Sequence, residues 1–318
     1  MAGRRRKVLG AVAYYHLMSR TVNGEAMFGN REREVFRQMI WKVAEFSGVR
    51  VITYAVMKNH FHILVEVPPQ GTEISDEELV RRYRLLYPEP TPWQPMAAEV
   101  LEGHLRDNFL EGKYLRGELT RRMHDVSEFM RTLKLRYTLW FNRSRERFGP
   151  LWSARFKSVL VEGDRFALRT VAAYIDLNAV RAGLVEDPKD YRFCGYGEAI
   201  GGGELARDGL AAVDRDLAGY RQTLYGSGSA EKLEKRSISR EEALRVLEKE
   251  KGKLPLAVVL RCRVRYFSDG MILGSEEFVR ECLGESPPGK RERLAHVMRG
   301  ADWKGLRVGT GLRKGLFG

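Results

Sequence analysis

Polar and apolar residues alternate from Ala13 to Ser19, a period of two that predicts a strand with one face buried. A turn-like stretch, TVNGEAMFGN, follows. From Glu32 to Ser47 the apolar positions become Val35, Met39, Ile40, Val43 and Phe46, a helical stripe suited to lying on a sheet, with Gly48 as its stop. Val49 to Val67 is long enough for two strands, with a turn or bulge at Lys58-Asn59. The pattern weakens over residues 68–114, where Ser75-x-x-Glu78 resembles a capping box and LYPEPTPWQP holds four of the eleven prolines, so this stretch reads as an insertion. Helical spacing returns from Leu115 to Phe148. LWSARFKSVLV, Leu151 to Val161, reads as a further strand. Asp164 to Ala182 reads as one helix, opened by Asp164 as N-cap and closed by Gly183.

Small residues dominate Gly201–Gly209 and Tyr225–Lys232, predicting a linker over 201–237. Beyond it SREEALRVLEKEKG, GSEEFVRECLG and KRERLAHVMRG read as three short helices, the first two opening on Ser239 and Ser275. The expected architecture is therefore α+β. A first domain over 1–200, with an antiparallel sheet flanked by helices and the insertion at about 68–114, precedes the linker. A small, mainly helical, basic domain over 238–318 follows, and it permits DNA binding, partner binding or a purely stabilising role.

With 318 residues the chain can bury cores that need no staples. Its three cysteines, Cys194, Cys262 and Cys282, are widely spaced and odd in number, which suggests neither a disulfide framework nor a zinc site and fits a reducing cytoplasm. No apolar run is long enough to span a membrane, and the start MAGRRRKVLGAVAYYHL has too short an apolar stretch for a signal peptide. The formal net charge of +13, from 55 Lys and Arg against 42 Asp and Glu, favours a polyanionic partner.

Within VITYAVMKNHFHILVEV, His60 and His62 lie two apart. In a strand they project to one face, while Phe61, Ile63 and Val65 face the other. Two neutral imidazoles so placed can share a divalent ion, each giving one nitrogen while its second N–H is held by another acceptor; a solvated polar sheet face gives the same pattern. On the helix from Asp164, Tyr174 and Asn178 are four apart, stacking a phenol near an amide oxygen beside the apolar stripe of Leu168, Ala172, Ile175 and Ala179. An amphipathic edge residue and a helix-end polar group fit these positions equally. His16 on the first strand is a candidate to line the same face as the histidine pair, or a structural histidine.

KNHFHILVEVP is similar to the His-hydrophobic-His segment of single-strand DNA transposases and relaxases. YIDLNAVRAGLV resembles the tyrosine helix of the REP-associated tyrosine transposase family, a branch of the Y1 transposases. AVAYYHLMSRTVNGEAMF resembles that family's first strand and turn, and GPLWSARFKSVLVEGD the strand before its tyrosine helix. The likeness spans roughly residues 8 to 200. It implies the ferredoxin-like fold of HUH endonucleases, with His60, His62 and Asn178 as ligands of Mg²⁺ or Mn²⁺ and Tyr174 as nucleophile. The implied activity is nicking and rejoining of single-stranded or hairpin DNA through a 5′-phosphotyrosine link, by a monomer or homodimer. A relaxase or replication-initiator nickase, and a domesticated DNA-binding protein without transposition activity, are the alternatives. Two positions depart from the family pattern: Ala179 stands where proline usually follows the asparagine, and Lys58 where proline commonly precedes Asn59.

For DNA capture, Arg131 to Lys157 carries eight Lys or Arg against one Glu, interleaved with Tyr137, Trp140, Phe141, Phe148, Trp152 and Phe156. Arg131, Lys134, Arg136, Arg143, Arg145, Arg155 and Lys157 are candidates for phosphate contacts, with most of the aromatics assigned to packing. Arg4, Arg5 and Arg6 form a second basic cluster, either a phosphate-binding arm or a solubilising tail.

Overall fold

A computed structural model describes residues 7–92, 94–107, 110–225, 255–262, 264–284 and 295–309. Arg4, Arg5, Arg6 and the predicted helix SREEALRVLEKEKG lie outside the described residues. The architecture is α+β, built on a seven-stranded, mostly antiparallel sheet. Its strands are β1 (Ala13–Arg20), β2 (Arg50–Val56), β3 (His60–Val67), β4 (Lys157–Val161), β5 (Ile272–Gly274), β6 (Ala295–Val297) and β7 (Arg307–Gly309), in the order β2-β3-β1-β4-β5-β7-β6. β2 and β3 are neighbours joined by the Met57–Asn59 turn, as the sequence predicts, with a bulge in β2 between Val51 and Thr53.

One face of the sheet is greasy. Phe61, Ile63 and Val65 of β3 are fully buried. They lie beneath α1 (Asn30–Ser47), whose Phe36 ring sits 4.7 Å from that of Phe61. Each such ring contributes roughly 1.5–3 kcal/mol by leaving water. Gly48 ends α1 in the left-handed conformation, φ 63°, which glycine adopts without the steric cost of a Cβ. α5 (Val126–Ser144) packs behind α1 through Leu133, Tyr137 and Phe141. The segment read as one helical stretch from Leu115 is in fact two helices, because Asp125 caps a new start and accepts from the backbone N–H of Ser127 and Glu128. The insertion is folded too: α2 (Asp76–Leu86), capped by Ser75, packs on α1, and α3 (Ala98–Arg106) and α4 (Leu110–Thr120) stack outward from it.

The opposite face carries α6 (Arg165–Asp176), capped by Asp164 as predicted, and the single turn α7 (Asn178–Arg181). The predicted continuous helix is thus interrupted at Leu177, whose ψ of 1° departs from helical geometry. Just before that joint, Asp176 is fully buried. It accepts from the Thr53 hydroxyl of β2 at 2.9 Å, the Tyr196 N–H at 3.0 Å and the Tyr220 hydroxyl at 2.6 Å. These three donors tie the end of α6 to β2, to α8 (Gly195–Ile200) and to α10 (Leu217–Tyr225). A buried carboxylate is tolerable only with partners of this kind.

Three further sequence expectations change. Residues read as linker form α9 (Glu204–Ala211) and α10, because Gly209 lets α9 approach the backbone of β2 closely and Leu210 is buried there. The strand read from Leu151 is regular only from Lys157, since residues 151–156 cross the sheet end irregularly, touching Thr21 at Trp152. Beyond α11 (Leu256–Leu260), α12 (Tyr266–Asp269) and α13 (Glu276–Leu283), the expected helix KRERLAHVMRG lies outside the described residues over 290–294, and its AHV instead forms β6, which pairs with β7; cross-strand hydrogen bonding outweighs a weak local helix preference there. Through β5, parallel to β4, this C-terminal region extends the main sheet. No helix among the described residues is long and apolar enough to cross a membrane.

Candidate active site

Strand register decides which side chains meet. Opposite His62 stands Met18 of β1 on one side and Ala55 of β2 on the other, while His60 stands opposite Arg20. Residues directly opposite share a face, so His16, Met18 and Arg20 line the same face as the two histidines. His16 is therefore a diagonal neighbour of His62, and their nearest nitrogens, His16 Nε2 and His62 Nδ1, lie 2.8 Å apart. On the far side of β1, Lys157 of β4 pairs with Met18, placing an exposed cation in the same cross-strand row as His62.

The His60 and His62 rings are 5.3 Å apart and nearly perpendicular. Above them, α6 brings the Tyr174 ring to 5.9 Å from His62 and 6.0 Å from His16. Asn178 follows the joint at Leu177, and its side chain lies beside His60. His60, His62, Tyr174 and Asn178, 112 residues apart at their nearest across the chain, thus converge on one side of the sheet. Their spacing in sequence shows the two pairs separately, and only the packing of α6 on β2 and β3 brings them together.

Each imidazole is anchored at one nitrogen. His60 Nδ1 lies 2.7 Å from Asn59 Oδ1, whose amide nitrogen in turn donates to the Gly24 carbonyl at 2.7 Å. His16 Nδ1 lies 2.9 Å from the Phe267 carbonyl. Burial holds all three imidazoles in the neutral form. It lowers His60 to about 4, with the nearby Arg20 and Arg181 charges acting in the same direction and the Asn178 side chain opposing them. It lowers His16 to about 3 against the opposing Phe267 carbonyl. His62 falls well below the ordinary histidine range through burial first, then its two histidine neighbours.

Tyr174 is largely enclosed. The Phe267 ring packs against it, tilted by 31° at 4.5 Å, and the Arg181 guanidinium sits over its ring at 4.1 Å. Arg181 also donates to the Tyr174 carbonyl at 2.6 Å and the Leu260 carbonyl at 2.9 Å, tying α6 to α11. Sequence reasoning set Arg181 on the helical stripe of Tyr174 and Asn178 without a role, and missed Arg20 and Phe267. Arg20 was legible in principle, being two and four residues beyond Met18 and His16 on a strand; Phe267 carries no local signal.

The donor set suits a divalent ion. Two neutral imidazoles and one amide are uncharged ligands that leave room for phosphate and water oxygens. Among the described residues no three His, Cys, Asp or Glu side chains form a ready-made metal cage, and both nitrogens of His16 are engaged.

The cations predicted to hold DNA divide into two groups. Arg131 pairs with Glu128, Arg145 with the buried Glu32, Lys134 donates to the Ala154 carbonyl, and Arg136 lies over the Tyr87 ring. Arg143, Arg155 and Lys157 are exposed. Of the interleaved aromatics, Tyr137, Phe141 and Phe156 are buried and Trp140 and Trp152 partly so, whereas Phe148 is 93 % exposed.

Residues 11–83 match the family described as "Transposase IS200 like". That span holds His16, His60 and His62; Tyr174 and Asn178 lie beyond it. No curated protein matches the chain. A solved structure described as "Structure of the REP associates tyrosine transposase bound to a REP hairpin" is 15 % identical, covering 64 % of this chain and 87 % of that one, with a TM-score of 0.41. A superposition that loose transfers no residue roles.

Proposed function

With residues 11–83 similar to the IS200-like transposases, we propose that this protein is a metal-dependent endonuclease and strand transferase acting on single-stranded DNA. The observation that carries the reading is the convergence of His60, His62, Asn178 and Tyr174 on one buried sheet face. A role in DNA binding alone leaves that convergence without a purpose.

His60, His62 and Asn178 would hold Mg²⁺ or Mn²⁺, which when bound neutralises phosphate charge that otherwise repels a nucleophile. The Tyr174 hydroxyl oxygen attacks the phosphorus; the new O–P bond forms as the bond to the 3′ oxygen breaks, the phenol proton passes to solvent, and the leaving 3′ oxygen takes a proton from solvent. The products are a 5′-phosphotyrosine link and a free 3′-hydroxyl, which keeps the bond energy for rejoining and requires no nucleotide hydrolysis. Arg181 and Phe267 hold the phenol ring in place from two sides. Lys157 and Arg20, on the histidine face, supply positive charge where a DNA backbone would pass.

The test uses labelled single-stranded DNA from the flanks of the protein's own gene, with and without Mn²⁺, comparing the wild type with Tyr174→Phe. A covalent protein–DNA adduct that needs both metal and the phenol oxygen supports the proposal. An adduct that persists in Tyr174→Phe, or none in the wild type with metal, refutes it.

A further inference from the structure

A chain of hydrogen bonds runs from the C-terminal region into the histidine pair. α12 is a single turn, so its last carbonyls have no partner within the helix. One of them, Phe267 C=O, points at His16 Nδ1, 2.9 Å away, in a fully buried setting. A carbonyl can only accept, so the proton of neutral His16 sits on Nδ1. His16 Nε2 is then a bare acceptor. The nitrogen facing it at 2.8 Å, His62 Nδ1, must carry the hydrogen. His62 Nε2 is left without a proton.

We propose that the Phe267 carbonyl and His16 form a positioning relay that fixes His62 in its Nδ1–H tautomer and so presents the bare Nε2 nitrogen to the site. His60 reaches the same state by a separate route. The Asn59 amide is oriented by its bond to Gly24, its oxygen accepts from His60 Nδ1, and His60 Nε2 is left without a proton. Both imidazoles thus present the same nitrogen, one held from the strand turn and the other from a segment more than 200 residues away. A neutral histidine side chain in water favours the opposite tautomer, with hydrogen on Nε2, so the relay acts against the intrinsic preference. An acceptor behind a ligating histidine also raises its basicity and fixes its ring, and removal of such a partner typically costs 10- to 100-fold in metal affinity. Neither nitrogen of His16 is open for a ligand of its own, which separates its role from that of His60 and His62.

The relay itself is a property of the metal-free protein; only its consequence for metal affinity rests on the function proposed above. The experiment is therefore a long-range ¹H–¹⁵N spectrum of the full-length, metal-free protein labelled in its histidines, with Mn²⁺ titration as a second reading. The wild type should show His62 and His16 both protonated at Nδ1 and bare at Nε2. His16→Leu, which removes the acceptor, should move the His62 proton to Nε2 and weaken Mn²⁺ binding 10- to 100-fold. His16→Gln, which can offer a side-chain oxygen to His62 Nδ1, should keep the Nδ1–H tautomer and recover most of the affinity. A role limited to packing would change stability without moving the proton. The relay is refuted if wild-type His62 carries its hydrogen on Nε2, a result that needs no variant to fold, or if His16→Leu leaves the tautomer unchanged. A correct tautomer in a protein that forms no adduct with DNA would sink the proposed function and leave the relay standing.

Discussion

Gly209→Ala sets helix preference against steric fit in a single methyl group. At an open position in a helix, alanine is favoured over glycine by about 0.5–1 kcal/mol, because glycine loses more backbone freedom on folding. Gly209 is not at an open position. A Cβ there would lie 2.3 Å from the Val51 carbonyl oxygen and 2.8 Å from that of Ile52, where ordinary contact begins at 3.4 Å. α9 would have to lift from β2 by about 1 Å, loosening the buried Leu210 and Ala206 beneath it. Overpacking of this kind costs about 1–3 kcal/mol, so the substitution should be net destabilising by ~1–2 kcal/mol. Gly103 in α3 and Gly117 in α4 are matched controls, since a Cβ at either meets nothing within 4 Å. Gly103→Ala and Gly117→Ala should each be neutral or stabilising by up to ~1 kcal/mol. Urea unfolding followed by circular dichroism, read as midpoints at unchanged slope, ranks the three variants. A Gly209→Ala protein as stable as the two controls would mean that α9 does not rest on the sheet, and the stretch would revert to a linker.

The charge network around Glu34 gives a pH-dependent outcome. Hydrogen bonding from Arg37 holds its carboxyl down to about 2, with Gln38 and the Arg192 charge acting in the same direction and burial opposing. A depressed carboxyl stabilises the fold above the unfolded value of 4.5 and loses that effect as the pH falls towards 2. Discounted for solvent screening, Glu34→Gln should cost about 1 kcal/mol at pH 7, with the difference from wild type shrinking below about pH 4.5; a difference that stays constant with pH would show the charge to be irrelevant. The predicted DNA cations should also split by assay. Arg145→Ala leaves the buried Glu32 without its cation and should lower stability by about 1–3 kcal/mol, whereas Arg143→Ala, Arg155→Ala and Lys157→Ala should leave unfolding midpoints within about 0.5 kcal/mol and reduce the salt dependence of single-strand binding. Equal melting curves for all four would contradict the division. Phe148→Ser should leave stability untouched and weaken single-strand binding by about 1–3 kcal/mol, measured by fluorescence anisotropy, if the exposed ring accepts a base.

Local periodicity carried much of the fold because β1, α1, β2, β3 and the start of α6 each have one apolar face and clear boundary residues such as Gly48, Ser75 and Asp164. The candidate site was legible as two motifs for the same reason: strand spacing puts His60 and His62 on one face, and helical spacing puts Tyr174 near Asn178. Three things were not legible, each for a physical cause. Glycine reads as flexibility in sequence, yet Gly209 is used for close approach. The fate of AHV at 295–297 depends on a partner strand that local propensity cannot see. The Phe267 carbonyl belongs to the backbone, and its contact with His16 spans a separation of 251 positions that no side-chain pattern encodes. Arg145 shows the opposite error, since a basic residue in a basic run is committed to a buried carboxylate.

The pairing of β4 with β5 also bears on the order in which the molecule is completed. A ribosome delivers β1 to β4 and the tyrosine helix long before β5, α12 and β7 emerge. Until then the nascent protein holds an open strand edge along β4, a His16 with no carbonyl behind it and a Tyr174 without the Phe267 ring. The histidine and tyrosine cluster would thus be enclosed only after β5, α12 and β7 have followed.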